Sequence, residues 1–273
     1  MRYIHPAPES PLDVRYQYQW EILRTALERT RRTWGPFTLE PGPLMSEKRQ
    51  VVALRSGSGP LTVIYLDTTP ELERTLTPVR IPVDKDLGGY RVFLIRKADQ
   101  PRFDPDRIRT LDDLRTFTIG LGLGWIDVDI MRRAGFKVVT GSDYEGLFTM
   151  LANRRFDIFL RASVEILDEV AQRRTTLPTV AIEAHFLLYY PLPRYFWFAP
   201  GPEGERLAAR AREGMMAMIE DGTYDRIFWK RQKDTIERLH LRDRKMFRID
   251  NPFLVPETPF ADRRLWFDPR TTR

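Results

Sequence analysis

Residues 117–161, FTIGLGLGWIDVDIMRRAGFKVVTGSDYEGLFTMLANRRFDIFLR, constrain the fold of this chain more than any other stretch. A short apolar run from Phe117 to Leu121 stops at glycine, and apolar residues at 126, 130, 131 and 134 then recur at helical spacing. Residues 136–139 form a β-prone run, residues 147–151 return to a helical face, and residues 156–160 enter a last strand. Two strand–helix–strand units in succession predict a parallel sheet with crossover helices. Such sheets bind ligands at the carboxyl ends of their strands, where helices begin. The turn Gly120-Leu121-Gly122-Leu123-Gly124 occupies that place. Its GxGxG spacing brings the third glycine early for a dinucleotide turn, and Trp125 is bulky for a phosphate cradle. Two readings of the turn stay open: glycines needed for positive φ and close packing, or a small-anion site at a helix N-terminus.

A length of 273 residues suits two domains, and 42% hydrophobic with 30% charged content is that of a folded globular chain. No run approaches the roughly 18 apolar residues of a membrane helix. The opening MRYIHPAPESPLD lacks the apolar core of a secretory signal. With no cysteine, disulfides, thiolate metal sites and cysteine nucleophiles are ruled out. The histidines, His5, His185 and His240, are far apart in sequence and fit no ligand spacing, so no metal centre is expected. The net charge of +6 is spread through arginines set beside acids, as in ERTRRTW and DRRLWFDPR. That is the pattern of an ion-paired, solvated surface, and no nucleic-acid partner is expected.

Behind Asp13, a good N-cap, Tyr16, Trp20, Leu23 and Leu27 form one helical stripe. A strand is predicted over 37–40, a helix from Ser46, and a buried strand over 61–66. QVVALRSGSGPLTVIYLD (50–67) and GLFTMLANRRFDIFLR (146–161) share one grammar, an apolar helix, a turn and a buried strand, which suggests two lobes built from the same unit. Further strands are predicted over 79–83, 90–96, 180–190 and 195–198, with Pro191 and Pro193 breaking the last two apart. His185, inside that apolar run, reads as structural. A long helix from Glu203 carries Leu207, Ala211, Met215 and Met218 on one face, and a second helix runs over 224–241. Beyond Arg244 the prolines of NPFLVPETPF argue against regular structure, while the aromatics suit packing against a lobe.

The order of these pieces resembles the type 2 periplasmic solute-binding proteins, in the amino-acid-binding branch of the ABC-transporter receptors. RSGSGPLTVIYLDTTPELER, GYRVFLIRK, TLDDLRTFTIGLGLGW, MLANRRFDIFLR and MIEDGTYDRIFWK carry the resemblance. It implies an α/β two-lobe clamshell, each lobe a mainly parallel sheet flanked by helices, with two hinge strands near 90–97 and 191–198. Lobe 1 would comprise 1–93 plus 195–273, with the proline-rich tail as an extension, and lobe 2 would comprise 94–194. The resemblance also implies a periplasmic, monomeric protein whose signal has been removed. It would capture a small carboxylate-bearing ligand, such as an amino acid, in an interlobe cleft, with a membrane permease as partner and with no cofactor or catalytic group.

Carried over by position, Arg74 stands where the family's arginine grips a ligand carboxylate, a task suited to a planar guanidinium. Thr69 matches a hydroxyl contact and Asp67 a small contact position. Gly124 and Trp125 fall at the second-lobe turn that meets the ligand, and Glu9, Arg15 and Tyr16 at the first loop. Where the family has an acid for the ligand's amino group, this chain has Arg161-Ala162. Either Asp67 or Asp127 replaces that acid, or the ligand is an anion held by Arg74 and Arg161. Arg161 has a competing role as the partner of Glu165. A dehydratase-like enzyme using Asp67, Asp127 or Glu145 as acid/base is one alternative function, and a sensory or partner-binding module is another.

Overall fold

The computed structural model describes residues 1–7 and 17–271. Glu9, Arg15 and Tyr16 therefore lie outside the described residues. In chain order the elements begin with β1 (Arg2–His5), α1 (Gln17–Arg29), α2 (Arg31–Trp34), β2 (Thr38–Pro41), α3 (Glu47–Arg55), β3 (Val63–Asp67), α4 (Pro70–Thr75) and β4 (Thr77–Val79). They continue with β5 (Tyr90–Arg96), α5 (Leu111–Leu114), β6 (Thr118–Gly122), α6 (Ile126–Arg133), β7 (Lys137–Gly141), α7 (Tyr144–Ala152), β8 (Ile158–Ala162), α8 (Ile166–Gln172), β9 (Val180–Ile182) and β10 (Phe186–Tyr189). The last are β11 (Arg194–Phe198), α9 (Pro202–Glu220), α10 (Thr223–Arg238) and β12 (Lys245–Arg248). Two compact units result. The first is Met1–Asp86 with Pro193–Lys233 and Leu254–Phe267; the second is Leu87–Leu192 with Asp234–Phe253 and residues 268–271.

In the first unit β11 lies between β3 and β4 and is antiparallel to both, so β3 and β4 run the same way; β1 and β2 form a separate parallel pair. The apolar stripe of α1, Ile22, Leu23, Ala26 and Leu27, meets Leu207, Ala211, Met215 and Met218 of α9 and the strand residues Val63, Phe196 and Phe198. Each of the larger side chains contributes about 1.5–3 kcal/mol on burial, and the two alanines less. Gly214 lets the two helices meet, because a Cβ there would lie 2.0 Å from the Ala26 carbonyl oxygen. Arg210, fully buried, donates from Nη2 to the carbonyls of Gly35 (2.8 Å) and Leu27 (3.2 Å) and from Nε to the Thr30 hydroxyl (3.0 Å). A cation thus sits at the carboxyl end of α1, where carbonyls lack helical partners.

The second unit holds one larger sheet in the order β12-β10-β5-β8-β6-β7, with β9 also paired to β5. Strands β8, β6 and β7 are parallel, and β5 is antiparallel to β8, β9 and β10. Phe93, Ile119, Leu121, Ile130, Met131, Ile158 and Leu160 belong to its core. The unbroken apolar runs in β6 and β8 suit strands covered on both faces.

Some expectations shift. The strand predicted over 79–83 is β4, ending at Val79, where the Ile81 amide turns back onto the Val79 carbonyl (2.7 Å). The run 180–190 is one interrupted strand along β5. Glu183, fully buried, accepts from the amides of His185 and Phe186 (2.7 Å each) and turns the chain between β9 and β10. His185 is exposed at that turn rather than buried in a strand. The tail contains regular structure: β12 pairs in parallel with β10 and places Phe247 against Phe186. Residues 234–253 consequently join the second unit, whereas the sequence reading put all of 195–273 with the first. The chain passes between units at 86/87, so β5 belongs wholly to the second.

Asp157 sets the start of the β8–β6 ladder. Its Oδ2 accepts from the Thr118 amide (2.9 Å) and hydroxyl (2.8 Å), and its Oδ1 pairs with Arg102 (2.8 Å). Burial pushes this carboxyl up, but the Thr118 hydrogen bonds and the Arg102 charge outweigh it and hold the carboxyl below the usual range. A depressed folded-state value adds stability that is complete above the ordinary value of 3.8 and is lost as pH falls through the folded one. The urea midpoint of the protein should therefore exceed that of Asp157→Asn at neutral pH, with the gap closing on acidification. A gap independent of pH would contradict this role.

Candidate functional site

The carboxyl ends of β6, β7 and β8 come together because Gly122 pairs with Gly141 across β6 and β7, while β8 lies on the other side of β6. Trp125, the N-cap of α6, folds back over β6: a Cβ on Gly122 would lie 2.3 Å from its ring, and one on Gly120 would lie 2.2 Å from Phe156. Gly120 and Gly122 thus serve close packing. Gly124 alone of the three needs its conformational freedom, with φ of 87°. Among the described residues the Gly124 amide has no hydrogen-bond partner, whereas those of Leu123 and Trp125 bind the Gly141 and Gly122 carbonyls.

Beneath Trp125 lies Arg161. Its Nε donates to both carboxylate oxygens of Glu169 (2.8 and 3.0 Å), and its Nη2 donates to Glu165 (2.7 Å) and again to Glu169. Its guanidinium carbon lies 5.0 Å from the Trp125 ring, 5.1 Å from Phe159 and 5.6 Å from Tyr144. The Tyr144 hydroxyl completes the network by donating to Glu169 (2.5 Å). Burial works against the charged guanidinium, but Glu165 and Glu169 outweigh it and hold Arg161 firmly protonated. Burial, and then Glu169, push the Tyr144 hydroxyl well above its usual range, so it stays a donor. Arg161 Nη1 has no hydrogen-bond partner among the described residues. Leu123 and Tyr144, both exposed large apolar residues, stand at these same strand ends.

Of the sequence-derived candidates, Gly124, Trp125, Asp127 and Arg161 lie in the second unit, and Asp67, Thr69 and Arg74 lie in the first. Trp125 and Arg161 are brought into contact. Asp127 is engaged elsewhere: it is buried, paired with Arg91 (3.0 Å) and bound by the Tyr190 hydroxyl. Asp67 pairs with Arg194 across β3 and β11 (2.8 Å), and the Thr69 hydroxyl caps α4 by accepting from the Leu72 amide (3.2 Å). Arg74 is exposed on α4 with no side-chain partner among the described residues, because helix phase turns Leu72 inward instead. Glu145 pairs with Arg173. The sequence reading missed Tyr144, Phe159 and Glu169. Tyr144 opens the helix after β7, a strand-end position, and Glu169 follows Glu165 by one helical turn; both signals were present.

No protein-family model matches the chain, and no curated protein matches it by sequence. Solved structures do. An ancestral arginine-binding protein bound to arginine is 21% identical with a TM-score of 0.55, covering 85% of this chain and 97% of its own. A histidine kinase sensor domain with similarity to periplasmic binding proteins is 17% identical with a TM-score of 0.56, covering 85% and 95%. An ancestral amino-acid-binding protein, a precursor of cyclohexadienyl dehydratase, is 16% identical with a TM-score of 0.52, covering 85% and 94%. At these identities the likeness is one of fold, and the fold is that of the type 2 periplasmic binding proteins.

Arg161→Met leaves Glu169 buried without its cation and should cost about 3–5 kcal/mol in urea unfolding. Adding Glu169→Leu should recover most of that loss. A loss below about 1 kcal/mol would place the pair among exposed ion pairs and contradict the geometry.

Proposed function

We propose that this chain is an extracytoplasmic binding domain for a small polar solute that carries a carboxylate, an amino acid or a close relative. The observation that carries the proposal is the strand-end constellation of the second unit within a type 2 periplasmic-binding-protein fold. There Trp125 offers an aromatic face, and Arg161 Nη1 and the Gly124 amide have no hydrogen-bond partner among the described residues. A ligand carboxylate finds donors there, and a ligand ammonium finds the aromatic face of Trp125. Asp67 and Asp127 already hold arginines, so neither replaces the acid absent beside Arg161. A bare anion is less well matched, since Arg161 is compensated by two carboxylates. In the first unit, taken by itself, Arg74 is exposed on α4 with no side-chain partner among the described residues and is a candidate for a carboxylate contact.

Binding fits better than catalysis. Each carboxylate considered as an acid/base, Asp67, Asp127 and Glu145, is engaged by an arginine. The likeness to a kinase sensor domain supports a sensory role as a second reading beside delivery to a permease. No helix among the described residues is long and apolar enough to cross a membrane.

Thermal unfolding in the presence of each standard amino acid and of small dicarboxylates tests the proposal. A ligand at 100 times its dissociation constant adds about 2.7 kcal/mol, which a melting curve reads as a shift of several degrees. At least one amino acid should produce a saturable shift, weakened about tenfold or more by Trp125→Ala. No stabilisation by any compound, or equal shifts in the Trp125 variant, would sink it.

A further inference from the structure

A cavity lies within the second unit between β5, α7 and the chain around α8. It has a volume of about 190 Å³, and its apolar lining includes Leu94 of β5, Phe148 of α7, Leu177 and Val180. Leu94 and Phe148 are fully buried, so the cavity reaches down to the sheet. Two consecutive arginines, Arg173 and Arg174, also line it. Arg173 lies with its guanidinium carbon 3.8 Å from the centre of the Phe148 ring and is paired with Glu145. Arg174 has no side-chain hydrogen bond or ion pair among the described residues. Glu169 forms part of the wall, but its oxygens are committed to Arg161 and Tyr144, so its charge is already compensated.

Protein interiors pack densely, and an apolar cavity of about 150 Å³ is enough to hold benzene. A partly open cavity of this size with an apolar floor and an uncommitted guanidinium has the chemistry of a site for a small amphipathic anion. We infer that this cavity binds a monocarboxylate with a compact apolar body of six or seven carbons, aromatic or aliphatic. The body rests on Leu94, Phe148, Leu177 and Val180, and the carboxylate is held by Arg174 at the mouth. This site shares only the Glu169 wall with the cluster at Trp125 and Arg161, and its occupancy is read from its own methyl groups.

Methyl NMR of the full chain, with benzoate and hexanoate as probes and benzyl alcohol and benzylamine as controls, tests it. Saturable shifts of the Leu94, Leu177 and Val180 methyls are expected with both carboxylates, with dissociation constants on the order of a millimolar. Benzyl alcohol should bind about tenfold more weakly and benzylamine more weakly still. Arg174→Ala should bring benzoate to the level of benzyl alcohol, and Leu177→Trp should abolish both by filling the cavity. Absence of saturable shifts, equal binding of benzoate and benzyl alcohol, or benzoate binding unchanged in Arg174→Ala would each overturn the inference. Should Leu177→Trp fail to fold, the arginine variant decides alone.

Discussion

The buried guanidinium of Arg161 is the group on which the second unit's strand ends depend. It projects from the carboxyl end of β8, where its backbone pairs with Val92 of β5, and it is held there by Glu165 and Glu169. A buried ion pair of this kind is weak evidence for stability, because desolvation offsets much of the attraction. Its consequence is geometric. Three aromatic side chains, Trp125, Tyr144 and Phe159, from two helix starts and a strand, take their places around one cation. At the other end of the same two strands, Asp157 ties β8 to β6 through Thr118. The two fastenings act on one strand: Asp157 fixes its start against β6, and Arg161 gathers the side chains at its end.

That arrangement changes the meaning of the glycine-rich turn. Gly120 and Gly122 are small because Phe156 and Trp125 lie against them, so the resemblance of GLGLG to a phosphate cradle has a packing origin. Once Trp125 is folded onto Gly122, its ring is available as a wall and as a neighbour of Arg161. The chemistry offered is then an aromatic face beside donors and acceptors in close order. Such a set selects by hydrogen bonding and charge balance rather than by phosphate coordination.

Much of the second unit was legible in the sequence because parallel strands and crossover helices leave long periodic signals. The β6 to β8 run is found where the apolar spacing put it, and the Leu207, Ala211, Met215 and Met218 face of α9 is buried. Local chemistry overrode the pattern elsewhere. Glu183 breaks the run 180–190 by taking two successive amides, a role that propensity does not show. β12 escaped notice among prolines, although Phe247 and Ile249 alternate inward and Arg244 pins its start by donating to the Glu183 and Phe186 carbonyls. At the site, residue types at strand ends pointed to Trp125 and Arg161. Partner choice was not legible, because Asp127 and Asp67 find arginines distant in sequence, Arg91 and Arg194.

The claim at the centre is that the strand ends around Trp125 receive a small molecule. The indole N–H resonance of Trp125, assigned by its loss in Trp125→Phe, reports on that place most directly. Titration with pooled standard amino acids should shift this resonance saturably in at least one pool. An indole resonance that stays fixed in every pool, or that moves no more than those of the other tryptophans, would contradict a ligand site at the strand ends.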